Sequence, residues 1–193
     1  MSMRWLLAGM LFLPGIAAAH GGFGQGTPFY SGMLHVLLGV QFVLPLVAVA
    51  LLASQRGEGV MPRAQLVLGA AVGVGAVIGL TGLDLGLITQ ANRVLAIVAG
   101  VLVALGLGLS ERTVLALLAA VGMFCGYELL RLDAPDSAVV WFVGGVMGGA
   151  MIVQGAVAIL AVAARAEWAR VGVRVVGSWV GATGLIYLGF AVA

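Results

Sequence analysis

The chain has 193 residues, 63% of them hydrophobic and 8% charged, with a mean hydropathy of +1.20. A soluble globule of this length needs more polar surface than that, so the composition excludes one and calls for lipid as the covering solvent. All nine basic residues are arginines, set against seven carboxylates, and the net charge of +2 is too small to argue for a nucleic-acid partner.

Residues 1–19 carry Arg4, an apolar core from Trp5 to Ile16 broken by Pro14 and Gly15, and then Ala17-Ala18-Ala19. A short basic start, an apolar middle and small residues at the end form the three-part layout of a cleavable secretory signal peptide. The apolar core is shorter than the roughly 20 residues of a bilayer span. The mature chain is therefore expected to begin at His20. Residues 20–28 follow as a glycine-rich external arm, because Gly21, Gly22, Gly24 and Gly26 do not hold a helix.

Six apolar segments come next, at 29–53, 64–83, 87–109, 113–130, 138–164 and 171–192, each near the length of one membrane span. The expected fold is all-α, a polytopic transmembrane bundle of six helices filling residues 29–193. Its polar breaks are short: Arg56, Glu58 and Pro62 in the first, Asp84 in a tight turn, Glu111 and Arg112, Asp133 to Asp136, then Glu167 and Trp168. Pro45 lacks the backbone N–H of an interior helix position and is expected to kink the first mature span, freeing a carbonyl at membrane depth.

Counting arginines in alternate loops gives an orientation. With the mature N-terminus outside, the inner side holds Arg56, Arg63, Arg112, Arg165, Arg170 and Arg174, and the outer side Arg93 and Arg131. That asymmetry follows the positive-inside rule and fits a bacterial inner membrane with an exported N-terminus. Glycine pairs four apart recur at Gly69/Gly73, Gly75/Gly79, Gly82/Gly86, Gly144/Gly148, Gly145/Gly149 and Gly177/Gly181. Four residues is about one helical turn, so each pair predicts a flat strip where another helix approaches closely.

No phosphate loop, nucleophile elbow, paired-cysteine zinc site or His-Glu-x-x-His helix is present, so an enzyme is not expected. The single cysteine, Cys125, excludes an intrachain disulfide. The informative residues are polar groups inside apolar segments, which are costly in lipid unless paired or used. They are His35 and Gln41 in the first mature span, Gln90, Asn92 and Arg93 in the third, Cys125 and Glu128 in the fourth, and Gln154 in the fifth. His35 has an ordinary reading as a neutral histidine bonded to a helix carbonyl. Glu128 has one as an ion-pair partner of Arg131 or Arg93. Met33, Met123, Met147 and Met151 join Cys125 as soft donors or serve as packing.

Ala19-His20, the run Ser31-Gly32-Met33-Leu34-His35-Val36-Leu37-Leu38-Gly39-Val40-Gln41-Phe42, and Phe124-Cys125-Gly126-Tyr127 together resemble the HupE/UreJ family. Val98 to Leu105 and Trp141-Phe142-Val143-Gly144-Gly145 are similar to its third and fifth spans. That family consists of hydrogenase and urease accessory membrane proteins regarded as nickel or cobalt permeases, with H-P-x-x-G-x-D-H in the first mature helix and F-H-G-Y in the fourth. Here His35 and Gly39 match, while Val36, Gln41, Phe42 and Cys125 replace a proline, an aspartate and two histidines, and Leu129 replaces a further histidine. The resemblance implies a small permease or metal-handling accessory protein for a divalent transition metal. His20, His35 and Cys125 would be the metal-facing residues, and Gln41, Pro45, Gln90 and Glu128 would line the path. The nickel or cobalt ion would be cargo, with no cofactor held permanently. The competing expectation is a structural subunit that has lost the metal site and binds a membrane-complex partner, or a second copy of itself, within the lipid bilayer.

Overall fold

A computed structural model describes residues 27–84, 86–133, 138–163 and 167–192. The expected signal peptide and His20 lie outside those residues. Within the described residues, seven helices follow one another: α1 (Pro28–Leu38), α2 (Val40–Ser54), α3 (Met61–Leu80), α4 (Leu87–Leu105), α5 (Glu111–Asp133), α6 (Val139–Ala163) and α7 (Glu167–Val192), with one 3-10 turn at Glu58–Val60 before α3. Among the described residues there is no strand. The protein is an all-α membrane protein.

α2 is the centre of the bundle. From Ala48 to Ala53 every residue is buried, and the helix packs against α4, α5, α6 and α7. A helix that is apolar all round has no face to give to a polar solvent, which is why this segment takes the interior position. The other helices form close pairs around it. α3 lies along α5, α4 along α7, and α1 across α6.

Glycines make each pair. In α3 and α5 the contact is reciprocal: a Cβ on Gly75 or Gly79 would strike the backbone of Met123 or Tyr127, and one on Gly126 would strike the backbone of Val72. In α4 and α7, a Cβ on Gly100 would stand 2.6 Å from the Gly181 nitrogen and 2.8 Å from the Gly177 carbonyl. In α1 and α6, Gly32 meets the Phe142 carbonyl, and Gly145 meets the Phe29 carbonyl. The sequence pairs Gly69/Gly73, Gly75/Gly79, Gly144/Gly148, Gly145/Gly149 and Gly177/Gly181 all lie at helix contacts. The thioethers of Met151 and Met147 sit above Gly69 and Gly73. Gly82 and Gly86 instead belong to the turn between α3 and α4, where Gly82 has φ 70°. The Tyr127 hydroxyl donates to the Leu83 carbonyl of that turn at 2.7 Å.

The first mature span departs from expectation. The sequence predicts one helix over 29–53 kinked at Pro45, but the chain breaks at Gly39, and α1 and α2 are bent by 72°. α2 runs on through Pro45. The carbonyl that Pro45 cannot serve is that of Gln41, in the first turn of α2. With only Val40 ahead of it in the helix, the proline ring meets one turn of backbone rather than a continuous rod. The bend therefore falls at Gly39, where a Cβ would stand 2.6 Å from the Phe42 ring and 2.7 Å from the His35 carbonyl.

Four stretches, Glu58–Leu80, Glu111–Leu132, Val139–Ala161 and Glu167–Phe190, are long and apolar enough to cross a membrane, and the bent α1–α2 pair makes a fifth if it counts as one span. The apolar part of α4, Gln90–Leu105, is shorter. Each of the six expected apolar segments is thus helical, although they differ in whether they reach spanning length. Two ion pairs join the ends of the parallel pair α3 and α5: Arg63 with Glu111 at 2.6 Å, and Arg131 with Asp84 at 3.0 Å. Being open to solvent, such pairs are worth about 0–1 kcal/mol each, so the glycine contacts carry the pair.

Gly126→Leu should lower stability by about 1–3 kcal/mol, the cost of overpacking a close contact. Gly172→Leu, at a position with open space around it, should leave stability nearly unchanged. Thermal melting of both variants in one detergent compares them directly.

Candidate functional site

Two cavities lie at opposite ends of one seam, the line where α2, α4 and α7 meet. The smaller, about 10 Å³, is walled by Gln41, Leu44 and Pro45 of α2, Arg93 and Ala96 of α4, and Gly184 and Tyr187 of α7. Its position follows from local sequence. Pro45 leaves the Gln41 carbonyl without its helical donor, and Gly184 removes a side chain from the opposite wall. The Arg93 guanidinium donates to the Gln90 side-chain oxygen at 3.1 Å, one turn earlier on α4. Its Nε is buried and bonds to no described group, and the same holds for the neighbouring Asn92 Oδ1. Arg93 thus keeps an unmatched donor beside the turn of α2 that precedes Pro45.

The larger cavity, about 700 Å³, opens at the other end of the seam. Ser54, Gln55 and Arg56 leave α2 on one side, Gly106 to Leu109 form the loop after α4, and Arg170 and Arg174 project from the first two turns of α7. Gly106 ends α4 in the left-handed conformation, φ 64°, so the chain turns away and the end of the helix stays open. Arg174 closes that end: its Nε donates to the Ala104 carbonyl at 2.8 Å and one η nitrogen to the Leu105 carbonyl at 3.3 Å. Gln55 reaches across from α2 to the Val103 carbonyl at 3.3 Å. Between the cavities the seam is filled by Ala96, Ala99, Val103 and Val180, all buried.

The residues singled out in the sequence divide between the seam and other places. Gln41 and Pro45 line the smaller cavity, and Gln90 is joined to it through Arg93. His35 lies elsewhere. Its Nδ1 is 2.9 Å from the Ser31 carbonyl one turn back on α1, and its ring stands edge-on to Phe142 of α6, 5.9 Å between centroids. Cys125 is fully buried on α5, one turn from the buried Glu128. Neither cavity is lined by His35, Cys125 or Glu128. Arg131 engages Asp84 and Arg93 engages Gln90. Gln154 is fully buried on α6, and neither side-chain polar atom meets a described partner. Among the described residues no three His, Cys, Asp or Glu side chains come together as a metal-holding group. His20 lies outside them.

Sequence reasoning did not find Tyr187, Gly184 or the basic lining of the larger cavity. One signal was present: Arg170 and Arg174 are four apart, hence on one face of α7.

Removing the partner of Arg93 tests the polar end of the seam. Gln90→Leu should cost about 1–3 kcal/mol, since a partly buried guanidinium then loses its acceptor. Melting of this variant against Gln90→Glu, which keeps an acceptor, reads that cost.

A family model described as HupE / UreJ protein matches residues 8–187. No curated protein matches the chain, and no solved structure does. The match takes in both cavities, the first six helices and most of α7, and it covers the residues on which the sequence resemblance rests: the chain belongs to the HupE/UreJ family.

Proposed function

We propose that this protein is a small permease or metal-handling accessory protein of a bacterial inner membrane, moving a divalent transition metal of the nickel or cobalt type. The observation that carries the reading is the placement of two cavities at opposite ends of the seam between α2, α4 and α7, the wider one also lined by Ala161 of α6. Between them the seam is packed by Ala99, Val103 and Val180, and the route under this proposal would run along α2 once that packing opens. One end is wide and the other nearly shut, as in a carrier caught open to one side. By the arginine asymmetry the open side is the cytoplasmic one, and the mature N-terminus is periplasmic.

The broken span supports the same reading. Transporters place discontinuous helices where a substrate passes, because interrupted backbone offers carbonyls and a point of bending. Here Gly39 separates α1 from α2 by 72°, and Pro45 interrupts the ladder six residues later. The path residues under this proposal are Gln41, Pro45, Arg93 and Tyr187 at the narrow end. Membership of the HupE/UreJ family supports the choice of metal.

A second reading, an assembly subunit without transport, is favoured by one specific observation: His35 is engaged within α1 and on Phe142, outside the seam. Uptake separates the two. Cells making the protein should accumulate labelled nickel or cobalt above vector controls, and Gln41→Leu should cut the initial rate about fivefold, the equivalent of one lost hydrogen bond. No accumulation by the wild type would sink the permease and leave the assembly subunit. A loss in His35→Ala with none in Gln41→Leu would move the path from the seam to α1.

A further inference from the structure

The cavity at the basic end has a composition that a metal path does not explain. Among the described residues its lining includes three guanidinium groups, Arg56, Arg170 and Arg174, and no carboxylate. The arginines come from two sides: Arg56 from the end of α2, Arg170 and Arg174 from one face of α7. The carboxylates nearest in sequence, Glu58 and Glu167, are not part of the lining. Glu167 reaches Arg170 only at 3.9 Å and is almost wholly exposed, so it neutralises little of that charge.

Helix ends do not change the sign. The C-termini of α2 and α4 each bring about half a negative charge toward the cavity, and the N-terminus of α7 brings about half a positive one. Against three full guanidinium charges the balance stays positive. Arg174 is held still by the Ala104 and Leu105 carbonyls, with one η nitrogen left for a ligand. A fixed planar donor group costs little further ordering when it binds an oxyanion.

Size and surroundings narrow the ligand. At roughly 30 Å³ per water, about 700 Å³ holds far more than a bare halide. It suits a tetrahedral oxyanion with its water or with an attached headgroup. The cavity mouth also adjoins apolar side chains open to lipid, Leu105, Leu107, Val171 and Val175. Several forked donors, an absence of carboxylates and an apolar margin together match a phosphate group at a membrane interface.

We propose that the cavity between the ends of α2, α4 and α7 is a binding site for a phosphate group, carried by an anionic phospholipid or by free phosphate, held by Arg56, Arg170 and Arg174. This rests on the cavity itself and not on metal transport, so the assay contains no metal. The full-length protein is purified from nanodiscs of mixed phosphatidylglycerol and phosphatidylcholine, and retained lipid is counted by native mass spectrometry. Separately, inorganic phosphate is titrated against the lipid-free protein in detergent while melting is followed.

Retention of phosphatidylglycerol over phosphatidylcholine, reduced roughly fivefold in Arg56→Gln and in Arg170→Gln at about 1 kcal/mol per interfacial arginine, supports the lipid source. A melting shift with inorganic phosphate that both variants lose supports free phosphate. Arg112→Gln removes an equal charge at the same end but outside the cavity, and each variant's melting curve verifies folding. Equal loss in Arg112→Gln would reduce the effect to general surface charge and overturn the site. Equal retention of both lipids together with no phosphate shift would overturn it as well.

Discussion

Contact between glycine and the backbone of a neighbouring helix is the constraint on which this structure depends. In lipid there is no hydrophobic gain from bringing two apolar helices together, because the tails are as apolar as the side chains they replace. What remains is close packing, and it is strongest where no Cβ intervenes. α3 and α5 exchange such contacts at Gly75, Gly79 and Gly126; α4 and α7 do so at Gly100, Gly177 and Gly181; α1 and α6 at Gly32 and Gly145. Three pairs locked in this way leave α2 with a different task. It fills the space they enclose, with side chains rather than backbone, and that is why its last half is buried on every side.

This division between locked pairs and a filled centre explains where the cavities occur. Space cannot open within a pair whose backbones already touch. It opens where α2 meets the α4–α7 pair, widely past the end of α2 at Ser54 and narrowly beside Gln41, Leu44 and Pro45. Gly39 has the matching effect on the other side. By letting α1 turn away along α6, it removes from the seam the segment that a straight span of 29–53 would have laid beside it. A straight helix would also have carried His35 along the axis of α2, whereas the break sets its ring against Phe142.

Much of this architecture was legible in the chain. Helical class, the six apolar segments and the glycine pairs follow from composition and four-residue spacing, which depend on one helix at a time. The turn at Asp84 was legible for the same reason. The place of the bend was not, because Pro45 is the stronger local signal, while Gly39 breaks the helix only once Phe42 and the His35 carbonyl occupy the space a Cβ would need. The candidate site was half legible. Gln41, Pro45 and Gln90 stand out as polar or interrupting residues in apolar runs, and they do gather near Arg93. Tyr187 and Gly184 look ordinary at the end of an apolar segment, and only the antiparallel docking of α7 on α4 brings them opposite Arg93. Chemistry likewise grouped His35 with Cys125, whereas the fold sets one on α1 against α6 and buries the other on α5.

Both ends of the seam carry guanidinium groups, and that bears on how a cation could use it. Under the proposed function, Arg93 at the narrow end opposes a resting divalent ion, so that wall is a barrier rather than a well. Conduction favours such a balance, since an ion held tightly does not leave. At the wide end three arginines would repel a departing metal more strongly. A phosphate group bound there offsets part of that positive charge and presents oxygen donors to a cation. On this view the two proposals fit one path: the glycine-locked helices fix the seam, and an anion at the wide end lowers the barrier to cation release.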